Sequence, residues 1–280
     1  MTALVLAVLL APAAAQKAPV FASEVGAVRV EVSVTRNGEP VRGLTAADFE
    51  LVDAGRRQEL QLVVEERARV DAVLVVDLSM SVRGAKHAAV RGGAAAFLDG
   101  LREGESAALV GFRDEVLLLS DFTTDRARIF DALGAAEPRG STALQDAVYA
   151  ALRLRPPGGN RLAVVVFSDG VDNVSVLPAA DVVAAAARTP CVVYGVGVRQ
   201  KSDARQSFLQ DVVKATGGRY FEALSDRELN RRFLDVLADI RSRYVLSFTP
   251  TDASAPGFHE LAVRLPRVKA DVLARTGYWR

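Results

Sequence analysis

The chain has a single cysteine, Cys191, so no intrachain disulfide can hold the fold together. Cys191 lies in the apolar run Cys191-Val192-Val193-Tyr194 and reads as a buried thiol acting as a small hydrophobe. Histidine is scarce as well. His87 and His259 are the only two, and they do not form a paired zinc motif. A Gly-x-Ser-x-Gly nucleophile elbow and a Gly-Lys-Ser/Thr phosphate loop are both absent. Charge of one sign is not in excess. The 35 basic residues stand against 34 acidic ones, which argues against nucleic acid or an anionic membrane as partner. No apolar run is long enough to span a bilayer, which takes about 20 residues. The longest is Leu4 to Ala15, broken only by Pro12. It ends Ala13-Ala14-Ala15 before Gln16, a small-residue cleavage pattern, and no Lys or Arg precedes it. We read residues 1–15 as a signal peptide with a deficient basic start, and the protein as secreted or periplasmic.

What the chain does have is apolar residues, half of the total, arranged in two different rhythms. The first is strict alternation. Val28, Val30, Val32 and Val34 are separated by Arg29, Glu31 and Ser33, which predicts a half-buried strand. Asn37-Gly38-Glu39-Pro40 turns it, and Thr45 caps a short helical turn at Gly43–Phe49. Strands are expected at Phe49–Val52 and Glu59–Val64, joined through Asp53-Ala54-Gly55. After Arg241 the alternation returns with Tyr244, Leu246 and Phe248, then Leu261, Val263 and Leu265, then Val268, Ala270 and Val272. Neither β end is large enough to bury a core alone. The two ends, 24–68 and 243–280, are therefore expected to pair into one small antiparallel domain around an insertion at 69–241. The alternative is two independent extensions.

The second rhythm runs between them. Apolar strands at Ala72–Val76, Ala107–Phe112, Val116–Leu119, Leu162–Phe167 and Cys191–Val196, with a short one near Arg219–Phe221, alternate with helical stretches. Helices are expected at Val82–Leu101, Asp125–Leu133, Ala143–Leu152, Pro178–Arg188, Ala204–Ala215 and Asp226–Ile240. The last opens on a capping box, Ser225 with Glu228, and sets Leu229, Phe233, Leu237 and Ile240 on one face. The fold class is α/β, a doubly wound, mostly parallel sheet with helices on both sides.

Three polar segments sit where strands or helices of this unit begin or end. Val73-Leu74-Val75-Val76 stops abruptly at Asp77-Leu78-Ser79-Met80-Ser81. Gly140-Ser141-Thr142-Ala143-Leu144 opens a helix. Val164-Val165-Val166-Phe167-Ser168 runs into Asp169-Gly170. Alternate residues of an extended exit loop point the same way, so Asp77, Ser79 and Ser81 can converge. In an open parallel sheet, sites form beyond the carboxyl ends of the strands where the strand order reverses. A set of hydroxyls and carboxylates offers oxygen only, which suits a hard cation of the Mg²⁺ type, with Mn²⁺ or Ca²⁺ as alternatives. In the competing reading, Ser79 and Ser81 cap the next helix and Asp169 only makes a turn. Arg83, Lys86 and Arg139 read as solvated loop charges, with attraction of an acidic partner as the alternative, Asp172 and Asn173 as turn residues, and Asp146 as a first-turn helix charge.

The set Asp77-x-Ser79-x-Ser81, then Thr142, then Asp169 before Gly170 closely resembles the metal-ion-dependent adhesion site of von Willebrand factor type A domains. The resemblance covers about residues 69–241. The flanks, with Gly43-Leu44-Thr45-x-x-Asp48-Phe49 and Ala274-Arg275-x-Gly277-Tyr278-Trp279, resemble a bacterial group of exported proteins carrying this domain. The resemblance implies direct ligation by Ser79, Ser81 and, with ligand bound, Thr142, while Asp77 and Asp169 act largely through water. A Mg²⁺ ion usually keeps several waters, one of which a ligand oxygen can replace. An Asp or Glu of a partner protein is then the natural sixth ligand. The expected function is a non-enzymatic binding module. A metal-assisted hydrolase with His87 or a site aspartate as base, or a structural subunit of an envelope assembly, are the alternatives. The resemblance also implies that the last helix shifts when the site changes state and so pulls on the β domain. The partner's identity and the oligomeric state are not legible.

Overall fold

The computed structural model describes residues 26–65, 69–168, 172–198, 207–251 and 256–280. The signal peptide read at 1–15, the candidate ligand Asp169 and the expected helix start at Ala204 lie outside them.

The chain begins with β1 (Val28–Arg36) and the short β2 (Glu39–Pro40). A 3-10 turn at Ala46–Asp48 follows, in which the Asp48 carboxylate accepts the Thr45 N–H at 2.8 Å and its hydroxyl at 2.9 Å. Next come β3 (Glu50–Asp53), β4 (Arg56–Gln58) and β5 (Leu62–Glu65). The strand expected over Glu59–Val64 is corrected to β5, which starts only at Leu62; residues 59–61 connect β4 of one sheet to β5 of the other. The Gln61 N–H donates to the Ser247 carbonyl at 2.8 Å, carrying the chain from one sheet to the other.

The α/β unit then runs β6 (Val70–Asp77), α1 (Ala85–Asp99), β7 (Ala107–Phe112), β8 (Val116–Thr123), α2 (Arg126–Ala135), α3 (Leu144–Arg153), β9 (Arg161–Phe167), α4 (Ala179–Arg188), β10 (Cys191–Val198), α5 (Ser207–Thr216), β11 (Tyr220–Ala223) and α6 (Leu229–Ile240). Its sheet has the order β11-β10-β9-β6-β7-β8, parallel throughout except for β8 against β7. From Ala72 to Val76, β6 is uniformly apolar because both its faces are covered. Ala72, Leu74 and Val76 pack with α1, α2 and α6, while Val73 and Val75 pack with α3, α4 and α5. Gly93 lets α6 approach α1 closely, since a Cβ there would meet the Phe233 ring at 2.3 Å. The strand order reverses at β6, with β7 on one side and β9 on the other. That is the switch point at which sheets of this kind place their sites.

Two helix starts differ from expectation. Met80–Val82 forms a 3-10 turn and α1 begins only at Ala85, because Arg83 is extended and Gly84 takes a positive φ of 67° between them. The capping box at Ser225 is not formed. Asp226–Glu228 is a 3-10 turn, and the Glu228 carboxylate accepts the Leu224 N–H at 3.0 Å. The apolar face of α6 is buried as the periodicity requires.

The chain ends with β12 (Tyr244–Phe248), β13 (Phe258–Arg264), β14 (Asp271–Ala274) and β15 (Gly277–Trp279). These interleave with the first strands in two antiparallel sheets, β14-β1-β12-β5 (with β2 beside β1) and β15-β13-β3-β4. Val30, Val32, Val34, Leu246 and Phe248 of the first sheet share a core with Phe49, Leu51, Leu261 and Tyr278. Both chain ends therefore build one small β unit.

The alternation in β1 did not reveal what covers its other face. Ser33 and Thr35 are buried there, under the α/β unit. The Ser33 hydroxyl donates to Asp239 Oδ1 at 2.6 Å, and Arg219 Nη2 donates to Thr35 Oγ1 at 2.9 Å. Arg243, 1% exposed, donates from Nε to Tyr194 Oη at 2.8 Å and from Nη2 to Asp239 Oδ2 at 3.0 Å and the Gly217 carbonyl at 2.8 Å. One residue pair further back, Arg241 forks onto both oxygens of Glu105 at 3.0 and 2.7 Å. The linker 241–243, read as a lever between α6 and β12, is tied by these ion pairs to the α/β unit, and Asp239 in turn accepts the Ser33 hydroxyl of the β unit. Burial pushes the Cys191 thiol of β10 up to about 12, which keeps it neutral. Among the described residues, no helix is long and apolar enough to cross a membrane.

Candidate metal site

β6 ends by delivering Asp77 into the interior, where it is fully buried. Its Oδ1 accepts the Ser79 N–H at 2.8 Å, an Asx-type turn that sets the direction of the exit loop. Its Oδ2 accepts the hydroxyl of Ser168, just past β9, at 2.8 Å. The carboxylate thus fastens the ends of the two strands that flank the switch point. The two-residue spacing then brings Ser79 Oγ and Ser81 Oγ to 2.9 Å from each other. Ser79 is buried and Ser81 exposed, so the hydroxyl pair runs from the interior to the surface.

A second loop is hydrogen-bonded onto the first. The Arg139 N–H donates to the Leu78 carbonyl at 2.7 Å, and the Met80 N–H to the Gly140 carbonyl at 3.1 Å. Arg83 Nε donates to the Pro138 carbonyl and Lys86 Nζ to the Ser81 carbonyl, at 2.8 and 3.2 Å. Two charges expected to be simply solvated therefore brace the loops while keeping the rim positive. Asp114 accepts the Ser141 N–H at 2.8 Å. Thr142 follows, 5% exposed, and its hydroxyl has no hydrogen-bond partner among the described residues.

The positioning of Thr142 depends on residues that read as ordinary turn positions. Asn173 Oδ1 accepts the Thr142 N–H at 2.8 Å, and the Asn173 N–H returns to the Thr142 carbonyl at 3.1 Å. Asp172 accepts the Gln145 N–H at 2.8 Å, the Ser175 N–H at 3.1 Å and the Ser175 hydroxyl at 2.5 Å. Asp146 in turn accepts the N–H groups of Val176 and Leu177, both at 2.9 Å. The first turn of α3 and the loop beyond β9 are thereby clamped together. The signal for this was present as three short polar residues, Asp172, Asn173 and Ser175, whose side chains bond nearby backbone readily.

Structure thus gathers Asp77, Ser79 and Ser81, binds their loop to the one carrying Thr142, and leaves Asp169 undescribed. His259 lies elsewhere, in the β unit, with Nδ1 3.3 Å from Asp53 Oδ1. His87 lies on α1, where burial and the Arg91 charge hold it below its usual pKa. Among the described residues no three His, Cys, Asp or Glu side chains cluster in a way that could hold a metal. The donor set is one of hydroxyls backed by a buried carboxylate. Neutral oxygens fit a hard cation of the Mg²⁺ class and would leave it attractive to an external anion.

Gly140 has φ +71°, and a Cβ there would fall 1.8 Å from Asp114 Oδ2. Gly140→Ala must adopt a left-handed conformation and displace Asp114 from Ser141. We expect a loss of about 1–3 kcal/mol in urea unfolding, accompanied by weaker divalent-ion binding than in the wild type.

A parallel sheet with its polar loops gathered at the switch point defines a domain class. Residues 72–172 match the family model of the von Willebrand factor type A domain, and the α/β unit is a domain of that type. Similar solved structures share the fold at low identity. A von Willebrand factor type A protein from Catenulispora acidiphila superimposes with a TM-score of 0.57 at 12% identity, over 91% of this chain and 75% of that one. Proximal thread matrix protein 1 of the mussel byssus, with zinc in its MIDAS motif, gives 0.56 at 18% identity, over 67% of this chain and 49% of that one. This chain thus spans about half of the mussel protein. The corresponding domain of the type V pili tip protein Mfa5 from Porphyromonas gingivalis gives 0.53 at 15% identity, over 62% of this chain and 96% of that one. No curated protein sequence matches the chain.

Proposed function

We propose that this protein is an exported, non-enzymatic binding module that captures an acidic group of a protein partner through a divalent ion of the Mg²⁺ type. Ser79, Ser81 and Thr142 would hold the ion, with Asp77 and Asp169 supplying charge and orienting its waters. The ion's contribution is an electrophilic position that a carboxylate oxygen can fill. The residues contribute the rest. Asp77 fixes the exit loop, the serine pair runs from the interior to the surface, and the clamp at Asn173 would hold Thr142 ready to join them. The observation that carries this reading is the 2.9 Å approach of the Ser79 and Ser81 hydroxyls against a fully buried Asp77 at the reversal of strand order. The zinc-occupied motif of the mussel protein supports a divalent ion, and the pilus-tip protein supports an extracellular binding role.

Calorimetry and thermal unfolding with Mg²⁺ or Mn²⁺ against a chelator test it. At a hundredfold excess over Kd, a bound ion stabilises the folded state by about 2.7 kcal/mol. Asp- and Glu-containing peptides should bind only with the ion present, and Ser79→Ala should abolish both effects. A thermogram without heat from either ion would overturn the reading. So would chelator-independent peptide binding, or turnover of ester or phosphate substrates that is lost in Ser79→Ala.

A further inference from the structure

The other end of the parallel sheet carries a cavity. At the amino ends of β9 and β10, about 20 Å along the strands from Asp77, the α/β unit and the β unit enclose a cavity of about 390 Å³. That volume lies within the range of small-ligand sites. Four arginines line it, and one acidic residue: Arg29 and Glu31 from β1, Arg69 before β6, Arg161 at the start of β9, and Arg275 after β14.

The charges do not cancel. Glu31 is already committed to Arg161, at 2.7 Å. Arg275 donates from Nε to the Gly277 carbonyl at 2.8 Å and from Nη2 to the Ala187 carbonyl at 2.6 Å, so its hydrogen bonds go to neutral carbonyls and fix its orientation, while Glu31 acts on it only through space. Arg29 and Arg69 make no side-chain hydrogen bond or ion pair among the described residues. Asn160 lines the cavity between the two units. Behind it, Asp71 is buried and bonded to the Ser106 N–H and hydroxyl at 2.7 and 2.8 Å, and to Asn160 Nδ2 at 3.2 Å. Three further guanidinium groups therefore line the cavity, Arg29 and Arg69 from its exposed rim and Arg275 from deeper in, and its one lining carboxylate, Glu31, is bonded to Arg161. Guanidinium forks match the planar oxygens of carboxylates and phosphates.

We propose that this cavity is a binding site for a small multivalent oxyanion, carrying two or more carboxylate or phosphate groups, separate from the metal site. A single negative charge would leave two of the three guanidiniums uncompensated, whereas a di- or trianion meets them. The ligand touches β1 of one unit and β9 of the other, so it also acts as an electrostatic strut between them.

The test is calorimetric titration of the full chain, free of divalent ions, with citrate and with inorganic pyrophosphate, acetate serving as the monovalent control. We expect saturable one-to-one binding of at least one of the two, weakening with ionic strength and stronger than acetate. Citrate alone would identify a carboxylate ligand, pyrophosphate alone a phosphate ligand, and equal binding a site that selects by charge. The variant Arg29→Gln/Arg69→Gln should lose affinity by at least about tenfold. Its circular dichroism and melting temperature without ligand should match the wild type, because neither side chain makes a hydrogen bond or ion pair among the described residues. Asp77→Asn should bind the anion as the wild type does, which separates this site from the metal reading. Absence of saturable binding up to millimolar ligand, or equal affinity in the double variant, would overturn the proposal.

Discussion

Asp239→Ala is expected to lower the free energy of unfolding by about 3–5 kcal/mol, a large part of a domain's stability. Asp239 is the acceptor around which the joint between the units is built. It takes donors from Ser33, Tyr194, Arg219 and Arg243. Removing it leaves the Arg243 guanidinium, 1% exposed, without its counter-charge. Replacing both partners by apolar residues, as in Asp239→Leu/Arg243→Met, should cost far less than the single change, since no ion is then stranded. Urea unfolding of the three variants and wild type gives the comparison, and a double variant as unstable as Asp239→Ala would argue against it. The same pair sets a pH dependence. Burial alone would raise the Asp239 pKa, but Arg243, the Ser33 hydroxyl, Arg219 and Tyr194 together hold it below the ordinary carboxylate value of 3.8. Glu105 is likewise held down, with Arg241 and backbone N–H groups outweighing burial. A carboxyl whose pKa is lowered by folding contributes stability in full above its unfolded value and loses it as pH falls through the folded one. Stability from both groups should therefore be constant above about pH 5 and fall in acid below pH 4, with the acid slope reduced in Asp239→Ala.

Asp77 separates structural from ion-binding roles. Asp77→Ala removes the acceptor of the Ser79 N–H and of the Ser168 hydroxyl, both buried. Each stranded donor costs about 1–3 kcal/mol, so the variant should lose stability even in chelator. Asp77→Asn keeps an oxygen for Ser79 and an amide that Ser168 Oγ can accept from, but it removes the charge. It should fold nearly as the wild type does while binding Mn²⁺ about 10–100-fold more weakly, the usual cost of losing a group that orients the ligands. Mn²⁺ affinity in Asp77→Asn equal to the wild type would remove the metal reading, and a destabilised Asp77→Asn would mean that its role is structural.

Much of the architecture was legible because its patterns are local. Val73–Val76 is apolar on both faces, which only a covered parallel strand tolerates, and Val30, Val32 and Val34 mark one face of an exposed-edge sheet. What covers the opposite face is not local. Ser33 and Thr35 look like solvent positions in β1, yet they are buried because Asp239 and Arg219, some two hundred residues away, come to meet them. The late start of β5 at Leu62 was hidden for a related reason, since residues 59–61, which carry the chain from one sheet to the other, continue the alternation. At the candidate site, Asp77, Ser79 and Ser81 were readable from their two-residue spacing. The roles of Asp146, Asp172 and Asn173 were not, because a side chain that bonds a distant backbone N–H has the same composition as one that makes a simple turn.

The pairing of β5 with β12 places Glu65 directly opposite Tyr244, so the chain enters and leaves the inserted unit through neighbouring strands. In a disordered chain, bringing those two residues together would cost at least about 4 kcal/mol of loop-closure entropy. Once residues 70–240 have folded, that cost has been met, because the insert's own geometry delivers both ends to one edge. The order of assembly follows: the outer strands cannot zip until the middle of the chain is compact, and the part made first must wait for the part made last.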